Sequence, residues 1–143
     1  MRFMMIVKAT KDSEAGAAPN PDLMAAVMKL ADEATAKGAL VATGGLLPSS
    51  QGVRIRVAGG KTFVVDGPFA ETKELVGGFA IFDLESKEAA IESGRKFMQL
   101  HADILGASYE GEMEIRPMMD APPHAAKEGQ TRVFGAGDSG KMS

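Results

Sequence analysis

The residues best suited to chemistry lie in one nonapeptide, residues 66–74, which reads DGPFAETKE and separates two apolar runs. Gly67 can take a positive φ and Pro68 fixes its own φ, so the segment is predicted to form a loop of one defined shape. Asp66 is a candidate general base beside a cleft. The alternative is that its carboxylate bonds to nearby backbone N–H groups and only shapes the turn.

Three further side chains of the nonapeptide are candidate ligand contacts. Phe69 is predicted to be an anchor that plugs into the core or into a dimer seam. Glu71 and Lys73 are candidates for binding a polar ligand, and the alternative is that they are solvated loop charges.

Outside the loop, Arg54 and Arg56 share the polar face of a predicted strand. Arg54 could clamp a carboxylate, because a guanidinium matches a carboxylate with two parallel hydrogen bonds; a solvated strand face is the alternative. His101 lies on the inner stripe of a predicted helix, either as a proton shuttle or as a hydrogen-bonded interior residue. Tyr109, the only tyrosine, could donate a hydrogen bond at a cleft or pack after the helix.

Composition excludes several classes of site. The chain of 143 residues has no cysteine, so thiolate nucleophiles, disulfides and cysteine metal sites are excluded. No metal site is predicted, since Asp103 points away from His101 on a helix, and no cofactor is expected because the glycine pairs lack nucleotide-binding spacing. The formal net charge of −3, well mixed along the chain, argues against nucleic-acid and membrane partners. The first apolar run is too short for a signal peptide or membrane span, so we expect a cytoplasmic protein.

The elements that must position these residues follow from periodicity. One helix is predicted to begin at Pro21 behind an Asn20 cap and to end at Gly38, and a second runs from a Ser86 cap to Gly106. Residues 9–20 are predicted to be a loop. Strands are predicted at residues 3–7, 39–42, 53–57, 62–65, 75–84 and 113–118.

The order β-α-β-β-β-β-α-β predicts an α+β, ferredoxin-like plan with two helices on one face of a mostly antiparallel sheet. The first strand is apolar on both sides, so its second face needs a cover that a chain this short hardly supplies. A homodimer with sheet packed on sheet is the predicted solution. The domain is predicted to span residues 1–119. Residues 120–143 lack an apolar period and are predicted to be a tail, for which docking on a partner subunit is one option.

Four segments resemble the DGPF branch of the YCII-related proteins: residues 2–6 (RFMMI), 44–48 (GGLLP), 60–79, which contain the nonapeptide, and 114–117 (EIRP). The resemblance implies a dimeric ferredoxin-like α/β barrel. Relatives in the wider group include an enzyme that eliminates chloride from a chlorinated muconolactone, and the same architecture hosts muconolactone isomerases and small monooxygenases. DGPF proteins also occur beside sigma factors, which gives some of them transcription-related labels.

The chain departs from this pattern in two places. Residues 43–48 (TGGLLP) lack the carboxylate and the amide of the Gly-Glu-Gly-Leu-Gln-Pro-like turn of many relatives, and the histidine suspected as catalytic in YCII proteins has no clear counterpart. Two functions are therefore predicted side by side. The first is a cofactor-free enzyme performing elimination or isomerisation on a small organic acid or lactone, with Asp66 or His101 as the base. The second is a non-catalytic small-molecule-binding or protein-interaction module with an accessory, transcription-related role.

Overall fold

A computed structural model of the chain describes residues 1–71 and 74–120 and has two antiparallel sheets and three helices. The α+β class predicted from the sequence is confirmed, and the arrangement is compatible with a ferredoxin-like plan. The strands are β1 (Arg2–Lys8), β2 (Leu40–Gly45), β3 (Val53–Ala58), β4 (Lys61–Asp66), β5 (Val76–Asp83) and β6 (Met113–Pro117), and the helices are α1 (Lys11–Glu14), α2 (Pro21–Ala36) and α3 (Lys87–Leu105).

The two long helices begin and end where their local signals place them. The Asn20 side chain accepts hydrogen bonds from the N–H groups of Asp22 and Leu23 at 2.9 and 3.1 Å, and the Ser86 hydroxyl accepts one from Ala89 at 3.1 Å. Gly38 and Gly106 follow the helices with φ of 74° and 89°. The structure corrects the expectation of an uninterrupted loop at residues 9–20, because Thr10 and Ser13 form a reciprocal cap that starts the short helix α1.

The main sheet has the strand order β2-β5-β1-β6 and is antiparallel at every pairing. Its helix-facing side carries the core, where Phe3 and Met5 are 1% and 2% exposed and pack near Ala90 of α3. Helix α3 approaches β6 closely, since a Cβ on Gly94 would lie 2.9 Å from Ile115 Cδ1.

The other side of the main sheet is open in the single chain. Met4 and Ile6 pair with Ile81 and Phe79 across β1 and β5, so these four side chains share the side away from the helices, and all four are only partly buried. We call them the open face. Strand β1 therefore has one buried side and one partly buried side, and no helix in the described part of the chain packs on the second side.

Strands β3 and β4 form a separate two-stranded sheet, the hairpin, joined at Ala58 and Lys61. The alternation of Val53, Ile55 and Val57 with the two arginines is typical of a half-exposed strand, whereas the structure leaves every residue of both strands exposed. The difference arises because none of the helices in residues 1–71 and 74–120 covers this hairpin. Among the described residues, no helix is long and apolar enough to cross a membrane.

Candidate functional site

The nonapeptide is held in place by hydrogen bonds from two distant segments. The Ser49 hydroxyl accepts a bond from the Phe69 N–H at 3.1 Å and donates one to Glu14 Oε1 at 2.5 Å, while the Ser49 N–H donates to Glu14 Oε2 at 2.9 Å. All three residues are half-buried. Both oxygens of the Glu14 carboxylate thus accept a bond from Ser49. Helix α1 and the turn at Ser49–Gln51 therefore fix the backbone at Phe69.

Gly67 fits this arrangement because it has no side chain. Its N–H donates to the Gly52 carbonyl at 2.9 Å, and a Cβ built on Gly67 would lie within bonding distance of the Ser49 carbonyl oxygen, where no atom can fit. The Gly67–Pro68 peptide bond is cis. Glycine is thus required here by close backbone approach. We call residues 66–71 together with Ser49 and Glu14 the anchored loop.

Arg54 is the side chain that the anchored loop orients. Its guanidinium carbon lies 3.8 Å from the centroid of the Phe69 ring, which is a stacked cation–π contact. Strand alternation puts Arg54 and Arg56 on one side of β3, opposite Val65 and Phe63 of β4. Within residues 1–71 and 74–120 neither arginine forms an ion pair, so the N–H groups of both guanidinium groups are not engaged by a carboxylate there. The sequence predicted an arginine pair, and the structure adds the Phe69 platform beneath one of them.

Asp66 lies on the other side of the hairpin. It is the last residue of β4 and pairs with Val53, which precedes Arg54 and therefore points the opposite way. Asp66 is exposed, and among the described residues its carboxylate makes no hydrogen bond, including none to its own turn. The geometry does not direct Asp66 and Arg54 toward the same point.

His101 belongs to a second group of side chains near the C-terminal end of α3. Its Nδ1 lies 3.0 Å from the Phe97 carbonyl oxygen, and since a carbonyl oxygen can only accept, Nδ1 is the donor of this bond. The His101 ring centroid is 4.7 Å from that of Phe97 and 5.5 Å from that of Tyr109. Burial raises the pKa of the Tyr109 phenol above its ordinary value, so it stays a hydrogen-bond donor. We call Phe97, His101 and Tyr109 the helix-end cluster.

The predicted site residues thus fall into groups. Arg54 and Phe69 are brought together, as are His101 and Tyr109, whereas no hydrogen bond in the described part of the chain joins Asp66 to His101. Glu71 is exposed on the loop, where its carbonyl accepts a bond from the Glu74 N–H at 2.9 Å. Lys73 lies outside the described residues. Within those residues no three His, Asp or Glu side chains are grouped to hold a metal ion.

Sequence reasoning missed Glu14 and Ser49. The Thr10–Ser13 cap was a local signal for α1, but the contact from Glu14 to Ser49 spans 35 positions and has no local signal. It also missed a cavity of about 230 Å³ between α2, α3 and the sheet, floored by apolar groups that include Met5 and Phe97. Three charged residues line its rim: Glu33, Lys37 and Lys96. Phe97 is shared between this cavity and the helix-end cluster.

Comparison with known proteins gives two matches. A family model described as the YCII-related domain matches residues 1–110, more than half of the chain. A curated relative, the uncharacterised protein R00369 of Rhizobium meliloti (strain 1021), is 34% identical over 73 residues. That match covers 51% of this chain and 54% of the relative, so the chain spans about half the length of the curated protein it matches.

Proposed function

The chain belongs to the YCII-related family, and we propose that within it this protein is a homodimer that binds a small organic acid through Arg54. The observation that carries the proposal is the stacking of Arg54 on Phe69 with no acidic partner among the described residues. A guanidinium immobilised on a ring has already lost the rotamer freedom that binding would otherwise remove. Its two outward N–H groups match a carboxylate.

The groups around Arg54 are consistent with a small organic acid as the ligand. Arg56 adds a second positive charge on the same side of β3, and Val65 and Phe63 supply apolar surface between the charges. The anchored loop fixes the Phe69 platform by way of Ser49 and Glu14. An organic acid would place its carboxylate on Arg54 and its carbon skeleton along Phe63 and Val65.

The homodimer is supported by the open face. Met4, Ile6, Phe79 and Ile81 form one apolar strip on the side away from the helices, and no helix or strand of the described residues packs over it. Packing two such strips against each other removes both from water, and a symmetric pair uses the same patch on each copy.

The binding test compares two arginine variants. Small carboxylates and lactones are screened by saturation-transfer NMR against the wild-type chain, Arg54→Gln and Arg95→Gln. Arg95 is an exposed arginine of α3, so its variant controls for the loss of one charge. We expect acids that bind wild type and Arg95→Gln but lose at least tenfold in affinity with Arg54→Gln, because a charge-assisted bidentate contact contributes more than about 1.4 kcal/mol. Equal binding by all three proteins would refute the site.

A second candidate function, proton transfer on an organic acid or lactone, is favoured by the helix-end cluster. His101 Nε2 makes no hydrogen bond among the described residues, and the Tyr109 phenol, whose pKa is raised by burial, is a hydrogen-bond donor beside it; an elimination or isomerisation needs a base and such a donor. A general base removes a carbon-bound proton next to the carbonyl, and the donor stabilises the developing oxyanion. Asp66 is the alternative base.

Solvent exchange tests this chemistry directly. Lactones and acids that bind are incubated in D₂O with wild type, His101→Gln and Asp66→Asn, and deuterium uptake next to the carbonyl is followed by NMR. Exchange that is lost in only one variant identifies the base. Binding with no exchange in any of the three proteins would eliminate the enzyme and leave the non-catalytic module, with an accessory regulatory role, as the function.

A further inference from the structure

One side of the hairpin carries four aliphatic side chains among its six positions. Residues directly opposite in an antiparallel pair share a side, and the pairings Val53 with Asp66, Ile55 with Val64, and Val57 with Thr62 define that side. Its four branched apolar residues are each 56–70% exposed in the single chain: Val53, Ile55, Val57 and Val64. We call these four the aliphatic side. Arg54 and Arg56 occupy the reverse side.

A two-stranded hairpin of this kind is not stable in isolation. Two strands without a packed face are marginal in water, because the backbone bonds formed do not offset the entropy of ordering the chain. At the base of the hairpin the Gly67 N–H bonds to the Gly52 carbonyl, and the link to a distant segment is made next to it, by the bonds from Ser49 to Glu14. Four aliphatic side chains on a flat surface need a cover to contribute to stability.

The surface that could cover the aliphatic side lies on a second copy of this chain. A four-stranded sheet of about six residues per strand has a footprint of about 380 Å², whereas a stable interface buries at least about 600 Å² on each partner. The open face alone is therefore too small. The aliphatic side of the hairpin adds about 190 Å², which brings the total close to that limit.

Continuity along the chain favours the same conclusion. Residues 46–52 connect the end of β2 to the hairpin and residues 67–75 connect the hairpin to β5, and the Leu46 N–H bonds to the Gly77 carbonyl where β2 and β5 meet. The hairpin is thus joined to the main sheet at both ends. It therefore extends from the sheet whose open face is uncovered. In a two-fold pair each copy both offers a hairpin and receives one, so the contact forms twice.

We infer that the hairpin is an arm that packs its aliphatic side on a second copy of this chain, next to the open face, and keeps its arginine side outward. The inference rests on the proposed homodimer and adds to it a second surface that enlarges the interface. It also assigns the two sides of β3 separate roles, since the aliphatic side holds the partner and the arginine side remains accessible to a ligand.

Adjacent valines on β4 give a matched test. Val64 is on the aliphatic side and Val65 is on the arginine side, so Val64→Lys and Val65→Lys make the same chemical change one residue apart. Both residues are exposed in the single chain, and far-UV circular dichroism checks that both variants fold. Sedimentation velocity at a series of concentrations gives the dimer dissociation constant. We expect Val64→Lys to raise it at least tenfold and Val65→Lys to leave it within threefold of wild type.

The outcomes separate this inference from the proposed function. A wild-type chain that sediments as a 15.0 kDa monomer at micromolar concentration would overturn both the homodimer and the arm. A wild-type dimer that Val64→Lys does not weaken would overturn the arm alone, and acid binding at Arg54 would still be measured independently.

The absence of cysteine allows a second test of the arm. Chains carrying Ile55→Cys and chains carrying Ile81→Cys are mixed and treated with a short bismaleimide, and only the introduced thiols can react. Arg56→Cys, on the reverse side of the same strand, replaces Ile55→Cys in the control mixture. We expect at least a fivefold greater yield of the mixed cross-link from Ile55→Cys. Equal yields from the two mixtures would contradict the arm.

Discussion

The anchored loop and the helix-end cluster hold their functional side chains in different ways. In the loop, Phe69 is fixed through Ser49 to Glu14, residues 20 and 35 positions apart. In the cluster, His101 is held by a bond to Phe97, four positions earlier on the same helix. Non-local bonds fix a loop only in the folded state, whereas a bond within a helix forms wherever the helix forms. The loop is therefore the more cooperative of the two regions, and damage to it should propagate to the whole fold.

Gly67→Ala should give the largest effect. A methyl group would coincide with the Ser49 carbonyl oxygen, and backbone atoms cannot move aside as a flexible side chain would. We expect a loss of about 3 kcal/mol in the free energy of unfolding, measured by urea denaturation. Gly52→Ala is the control, since its Cβ would meet Ser49 O at 3.4 Å, an ordinary contact. Equal stability of the two variants would show that the loop is not fixed at Gly67.

Ser49→Ala tests the central hydrogen bonds of the loop. It removes the acceptor of the Phe69 N–H and one of the two bonds to Glu14, and it leaves a half-buried N–H without its partner. We expect a loss of about 1–3 kcal/mol in urea denaturation. Ser50→Ala, at the exposed neighbouring position, should change stability by less than about 0.5 kcal/mol. A smaller loss of stability for Ser49→Ala than for Ser50→Ala would contradict the claim that the Ser49 hydrogen bonds hold the loop.

His101→Ala should cost less than either loop variant, because the helix persists without the side chain. The loss is that of two tilted ring contacts, with Phe97 and Tyr109, or about 1 kcal/mol. His101→Phe keeps a ring in place and should recover most of it. A greater loss of stability in His101→Ala than in Ser49→Ala would contradict the expectation that the anchored loop contributes more to stability than the helix-end cluster.

The smallest effect on stability is expected from the ionisation of Tyr109, and it is observed only at alkaline pH. Burial raises the pKa of Tyr109 in the folded chain above its ordinary value. The unfolded chain therefore releases this proton first, and the contribution to stability is complete below pH 10 and is lost as pH rises through the folded pKa. Since the chain has one tyrosine and no tryptophan, phenolate absorbance reports this group alone. A midpoint equal to that of the urea-unfolded chain would show that Tyr109 is not packed in the cluster.

The same contrast explains how much of the molecule the sequence predicts. The helix boundaries follow from Asn20, Gly38, Ser86 and Gly106, since caps and positive-φ glycines act within a few residues. His101 with its helical neighbours is predictable for the same reason. The Ser49–Glu14 contact is not, because it depends on how distant segments meet.

The hairpin could be predicted as strands but not as an exposed element. Its alternation of Val53, Arg54 and Ile55 indicates one apolar side, and it does not say which chain covers that side. The Arg54–Phe69 contact could not be predicted from the sequence either, although each residue was by itself a candidate ligand contact. Pairing them requires the anchored loop to bring Phe69 back beneath β3.

A crystal structure of the protein with a small organic acid that binds it tests the central claim most directly. The account predicts carboxylate oxygens about 2.7–2.9 Å from the Arg54 guanidinium, with the Phe69 ring still stacked beneath it. The same crystals would show whether two open faces meet. An acid seated instead in the cavity beside Lys37 and Lys96, with Arg54 bound to a carboxylate of the protein, would contradict the account.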